Sequence, residues 1–169
     1  MLDGQMAQME ALYRSHGPAL LRYLQRSFGS HADAEDLLQE TFVRALSGGD
    51  DWPQVRSPRA FLFGVARHVG LTVARRAKLR STEPLTDVAA AEAGGEQVDG
   101  RICQIRAAIA RLPEQIRQTL ELRLHDELSY EEVAMVLEIP VGTVRSRLHS
   151  AMRMLRDEME TRNEMEKSS

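Results

Sequence analysis

The sequence predicts an all-α protein of two small helical domains joined by a flexible acidic linker, and three observations predict it. Apolar residues recur at helical spacing in several separate stretches. Aromatic residues make up only 5% of the chain and β-branched runs are scarce, which disfavours sheets, while 43% hydrophobic content suffices for a core. Between the periodic stretches, Ser81 to Gly100 holds Pro84, a run of Ala, Gly94-Gly95 and five acids without one base. Such a segment buries little and is expected to be mobile or extended. The expected domains are residues 1–80 and 98–160, with a linker at 81–97 and a polar tail at 161–169. The C-terminal domain is expected to be a helix-turn-helix.

The elements follow in order. Met1 to Ser15 reads as a helix with Met6, Met9, Leu12 and Tyr13 on one side; methionines at this spacing could form a partner surface, but core filling is the expected use. Gly17-Pro18 is expected to restart the chain into a second helix, carried by Ala19 to Leu24 and ending near Phe28-Gly29. Asp33 to Leu46 gives a third helix, with Ala34, Leu38, Thr41, Phe42 and Ala45 clustered on one face and Leu37 at its edge. Asp36, Gln39 and Glu40 project the other way, together with one apolar residue, Val43. From His31 to Glu40 there are four acids and no Lys or Arg. The residues alone admit two readings: a solvated face whose acids favour the helix N-terminus, or a docking surface for a basic partner helix.

Ser47 to Pro58 is a loop of Gly, Asp and Pro, with Trp52 either a plug over the core or a stacking residue. Arg59 to Lys78 is then a long helix whose buried side is Leu62, Val65, Ala66, Val69 and Val73. A separate stripe carries Phe61, His68, Thr72 and Arg75, with Arg67 nearby. Seven basic residues and no acid lie between Arg56 and Arg80. A stripe of ring, imidazole and guanidinium suits melted DNA, where bases stack and phosphates pair with cations. A core Phe beside solvated Arg is the alternative.

After the linker, Val98 to Arg111 places Ile102, Ile105 and Ile109 on one helical face. Leu112-Pro113-Glu114 restarts a helix that runs through His125, with Pro113 where a missing N–H costs least. Ser129-Tyr130-Glu131-Glu132 has the spacing of a capping box, and Val133, Ala134 and Leu137 supply the apolar face behind it. Glu138-Ile139-Pro140-Val141-Gly142 breaks the period as a tight turn should. A second helix begins at about Thr143. At about 100° per residue its Val144, Leu148, Ala151 and Leu155 share one arc, while Arg145, Ser146, His149 and Arg153 lie opposite and Ser150 at the edge. Four Arg and no acid fall between Val141 and Arg156, although the chain as a whole carries a net charge of −3. Two short helices joined by a turn, the second presenting Arg and small polar groups, form a helix-turn-helix suited to a DNA major groove. An ordinary amphipathic helix with a solvated Arg face is the competing reading.

Composition excludes several classes. One cysteine, Cys103, leaves no internal disulfide and no cysteine-based zinc site. No phosphate-binding glycine loop, paired-carboxylate pocket or nucleophile–base arrangement marks an enzyme, and no cofactor, metal or small-molecule substrate is expected. No apolar run reaches transmembrane length and no signal peptide is visible, so a cytoplasmic protein is expected.

Two of these stretches carry a resemblance. Residues 112–156, above all Leu-Ser-Tyr-Glu-Glu-Val-Ala and Val-Gly-Thr-Val-Arg-Ser-Arg-Leu, resemble the promoter-reading C-terminal domain of bacterial sigma factors of the extracytoplasmic-function type. Asp-Ala-Glu-Asp-Leu-Leu-Gln-Glu-Thr-Phe resembles the helix by which those factors grip RNA polymerase. The resemblance implies core polymerase and promoter DNA as partners, and a small membrane-associated anti-sigma factor that sequesters the protein. It places Asp36, Leu37, Gln39, Glu40 and Phe42 at the motif's positions, Leu37 and Phe42 equally suiting core residues that hold the helix in place; with the neighbouring Asp33 and Val43, the expected polymerase contacts are Asp33, Asp36, Leu37, Gln39, Glu40 and Val43. Contacts to the downstream (−10) promoter element would fall on Phe61, Arg67, His68, Thr72, Arg75 and Arg76. Those to the upstream (−35) element would fall on Thr143, Arg145, Ser146, Arg147, His149, Ser150 and Arg153. Arg147, near the apolar margin, is expected to bind phosphate or brace the fold. The family usually has Asn and Asp where this chain has His68 and Thr72, and Trp where it has Phe61, so its −10 preference does not carry over residue by residue. A stand-alone regulator with a sensing or dimerising N-terminal half, or an adaptor, are the rival readings.

Overall fold

The computed structural model describes residues 2–29, 31–48, 55–81 and 99–168. Among them are seven helices: α1 Leu2–Phe28, α2 Ala34–Ser47, α3 Pro58–Arg80, α4 Gly100–Ala110, α5 Glu114–Leu124, α6 Tyr130–Leu137 and α7 Val141–Lys167. They divide into two compact units, α1–α3 and α4–α7. Trp52 with most of its loop, and the expected linker beyond Ser81, lie outside the described residues.

In the first unit each helix packs on the other two. Two starts are capped: Asp33 accepts a hydrogen bond from the Glu35 N–H at 2.8 Å, and Ser57 accepts from the Ala60 N–H at 3.2 Å, with Pro58 following at the first helical position. The core is built on Leu20, Leu24, Leu38, Leu62 and Val69 with four buried rings, Tyr23, Phe28, Phe42 and Phe63. Tyr23 lies 5.3 Å from Phe63 and 6.2 Å from Phe28 between ring centroids. α1 and α3 meet so closely at Gly70 that a Cβ there would come within 2.3 Å of the Phe28 ring. Thr41 is fully buried, and its hydroxyl donates to the Leu37 carbonyl at 2.7 Å, so its own polar group is satisfied.

The expected break at Gly17-Pro18 does not occur: α1 runs straight through Pro18. A proline inside a helix removes one hydrogen bond and crowds the preceding turn. Burial of Met9 before it, and of Leu20, Tyr23 and Leu24 after it, holds both halves on one packing surface. The buried face of α3 is also wider than a single stripe, taking in Ala60, Phe63 and Gly70, while Val65 and Val73 are only partly buried.

In the second unit Leu112, Leu120 and Ala151 form a buried cluster flanked by Ile109, Ile116, Leu148 and Leu155. The capping box forms as its spacing predicts: Ser129 Oγ accepts from the Glu132 N–H at 3.1 Å, and Glu132 accepts from the Ser129 N–H at 2.9 Å. Glu138 then ends α6 in the left-handed region at φ 56°, and the Ile139 N–H reaches back to the Ala134 carbonyl at 3.1 Å. α7 starts at Val141 rather than near Thr143. It continues to Lys167, through most of the expected polar tail, tied to the α4 side by an Arg111–Glu158 ion pair and a 3.5 Å hydrogen bond from Gln104 to Glu166. Ile102 and Ile105 are exposed, contrary to their spacing, because α4 turns Ala108 and Ile109 into the core instead. No helix among the described residues is long and apolar enough to cross a membrane.

Candidate docking face and nucleic-acid interfaces

On α2 the exposed side carries Glu35, Asp36, Gln39 and Val43, with Asp33 at its cap and Glu40 partly exposed. Burying Phe42 and Ala45 against the other helices turns these residues outward. Val43 is 56% exposed. Leu46 joins it at 46% exposure and has no counterpart among the sequence candidates. Its place three residues beyond Val43, and seven beyond Gln39, is the signal that marks the same face. Glu40 pairs with Arg44 one turn on, at 2.6 Å. Leu37, a candidate contact, is instead a core residue at 4% exposure. α2 is packed on two sides, so its buried arc extends past the centre of the apolar stripe to the edge where Leu37 lies.

The candidates on α3 divide. His68, Arg75 and Arg76 are exposed, while Phe61, Arg67 and Thr72 are partly buried. Thr72 donates its hydroxyl hydrogen to the His68 carbonyl at 2.8 Å, so toward an outside group it offers only lone pairs. Arg59 lies over the Phe63 ring at 5.9 Å, a cation held by the core rather than by solvent. Toward its end α3 exposes Lys78 and Arg80 as well, so positive charge accumulates along the last turns with no acid on the helix to offset it.

On α7 the outward arc is continuous. Arg145, Ser146, His149 and Arg153 are exposed, and Thr143, Arg147 and Ser150 flank them partly buried. Val144 and Ala151 are fully buried one and three turns in, which fixes the rotation of the helix and hence the direction of that arc. Ser146 donates its hydroxyl hydrogen to the Thr143 carbonyl at 3.1 Å. Arg147 is not on the arc. Its Nη2 donates to Gln115 Oε1 on α5 at 3.0 Å. Gln115 is a residue that reading the chain overlooks, since its partner lies 32 positions away and no local period links the two. Among the described residues no group of His, Cys, Asp and Glu is arranged to hold a metal ion.

Comparison with known proteins agrees with this division of the chain. The family model for Sigma-70 region 2 matches residues 12–80, and that for Sigma-70, region 4 matches residues 104–155. The ECF RNA polymerase sigma factor SigL of Mycobacterium tuberculosis is 34% identical over 157 residues, which cover 90% of this chain and 89% of that protein. The ECF RNA polymerase sigma factor SigW of Bacillus subtilis is 30% identical over 148 residues, 79% of each chain. Two solved structures share the fold. CnrH, in complex with the cytosolic domain of CnrY, superposes with a TM-score of 0.64 at 24% identity over 94% of this chain and 92% of its own. The sigma factor RpoE of Bartonella quintana, in complex with the anti-sigma factor NepR, gives 0.60 at 22% over 89% and 98%. An all-helical chain with a helix-turn-helix in its second unit, matched along nine-tenths of its length by such a relative, belongs to the ECF family of RNA polymerase sigma factors, which are initiation factors and not enzymes.

Proposed function

We propose that this sigma factor docks core RNA polymerase through the exposed face of α2 and meets the −10 element along α3. It reads the −35 element with the first half of α7. The observation that carries the reading is the arc of Arg145, Ser146, His149 and Arg153, all exposed on the second helix of a helix-turn-helix whose opposite side is anchored by Val144 and Ala151. Arg can pair with both acceptors of a guanine edge, Ser can serve donors or acceptors, and the charge of the helix attracts phosphate. Thr143, Arg147 and Ser150 then flank that contact. On α2, acids surrounding exposed Val43 suit a partner helix that is basic with an apolar stripe; Asp33 contributes mainly as the cap of that helix, and Leu37 positions it from within the core. On α3, exposed His68, Arg75 and Arg76 supply cations, with Phe61, Arg67 and Thr72 beside them for single-stranded DNA.

The protein acts in the cytoplasm, held inactive by an anti-sigma factor. Support for that partner comes from the two structural relatives, of which RpoE was solved with an anti-sigma factor and CnrH with the cytosolic domain of CnrY. The test of the function is transcription in vitro with core polymerase and no other sigma factor. Initiation from defined start sites is expected. A stand-alone regulator or an adaptor gives no initiation in that mixture.

A further inference from the structure

Arg147 lies about 60° around α7 from Val144 and about 120° from Arg153, taking about 100° per residue. It stands between the apolar seam and the outward arc. Its guanidinium is held there by Gln115, at 3.0 Å. The backbone at Gln115 is fixed, because its carbonyl accepts the hydroxyl of the fully buried Thr119 at 2.7 Å, while its side chain is exposed. The side chain of Gln115 thus projects from an anchored point on the first turn of α5 toward α7. A guanidinium has five N–H donors in a rigid fork, and Gln115 engages one nitrogen. A free Arg loses considerable rotamer freedom when it binds; one already held by a neutral acceptor loses less and keeps its full charge.

We infer that Gln115 is a positioning residue for DNA binding: it holds the Arg147 guanidinium toward the phosphate backbone beside the upstream element and away from the base edges. This rests on the reading of α7 as the −35 contact. The competing possibility is a brace between α5 and α7 with no part in DNA binding. Charge separates the two. Glu in place of Gln115 keeps the acceptor and strengthens a brace, but it neutralises Arg147 where a phosphate would meet it.

The experiment uses the full chain with core polymerase on promoter duplexes randomised at the upstream element, over a range of salt concentrations. Gln115→Ala is expected to weaken binding to all elements by a similar factor, about two- to tenfold, without changing their ranking. Arg147→Ala should lower the salt slope by about one, and the double variant should bind no more weakly than Arg147→Ala alone. Gln115→Glu should weaken promoter binding at least as much as Gln115→Ala, while the melting temperature of the free chain holds or rises. Wild-type promoter binding by Gln115→Glu overturns the inference in favour of a brace. Additive losses in the double variant, or a changed base ranking in Gln115→Ala, overturn it as well. Failure of the underlying reading looks different: the wild type then shows no preference among upstream elements, and both fall together.

Discussion

In the N-terminal unit four of the buried core side chains are aromatic, Tyr23, Phe28, Phe42 and Phe63, whereas in the C-terminal unit none is. The one aromatic residue of the second unit, Tyr130, is exposed and carries Arg123 against its ring at 5.6 Å. A buried ring removes roughly 150–250 Å² from water, so three helices around four rings hold together even with a proline inside one of them. The second unit packs Leu, Val and Ala side chains and depends more on hydrogen-bonded and turn devices. These are the Ser129–Glu132 capping box, the left-handed Glu138 and the Arg147–Gln115 hydrogen bond. The contrast teaches where each unit is vulnerable: a core change should unfold the first, whereas small polar changes should misdirect the recognition helix of the second.

The largest effect is expected from Phe63→Ala, at about 3–5 kcal/mol of stability in the first unit. Denaturant unfolding followed separately in the two units measures it, and a loss under about 1 kcal/mol would break the comparison. Reversing Asp36 and Glu40 to Lys should cost core-polymerase binding several kcal/mol, roughly the penalty for like charges meeting at an interface. Folding should change little, because the Glu40–Arg44 pair it removes is a solvent-exposed pair one helical turn apart. Co-purification with core polymerase, alongside a thermal melt, checks both halves of that expectation. Ser129→Ala removes one side of the capping box and should destabilise the second unit by about 1 kcal/mol; an unchanged melt would show that the box is ornamental there.

What could be read from the chain follows the range of the forces involved. The capping box, the Asp33 cap, the acidic face of α2 and the outward arc of α7 depend on residues within one or two turns, and their spacing displays them. The continuity of α1 through Pro18 was not legible, because packing on both flanks outweighs a local penalty that any window around Gly17-Pro18 registers alone. Phe63 was missed, and Leu37 was left between core and contact, for one reason: α2 and α3 are each covered by two neighbours, so burial extends past the stripe that a single amphipathic face predicts. Ile102 and Ile105 show the reverse, an apolar period that the packing of α4 leaves exposed. The last turns of α7 read as a polar tail because the partner of Glu166 lies 62 residues away.

The most direct test is a selection over randomised upstream elements with three holoenzymes: wild type, Asp36→Lys with Glu40→Lys, and Arg145→Ala. The charge-reversal variant should yield little holoenzyme, and what forms should keep the wild-type preference. Arg145→Ala should bind core polymerase normally, lose about 1–3 kcal/mol at the upstream element and relax its choice at one or two base pairs. An unaltered preference in Arg145→Ala, or normal holoenzyme yield from the reversal, would contradict the assignment of docking to α2 and promoter reading to α7.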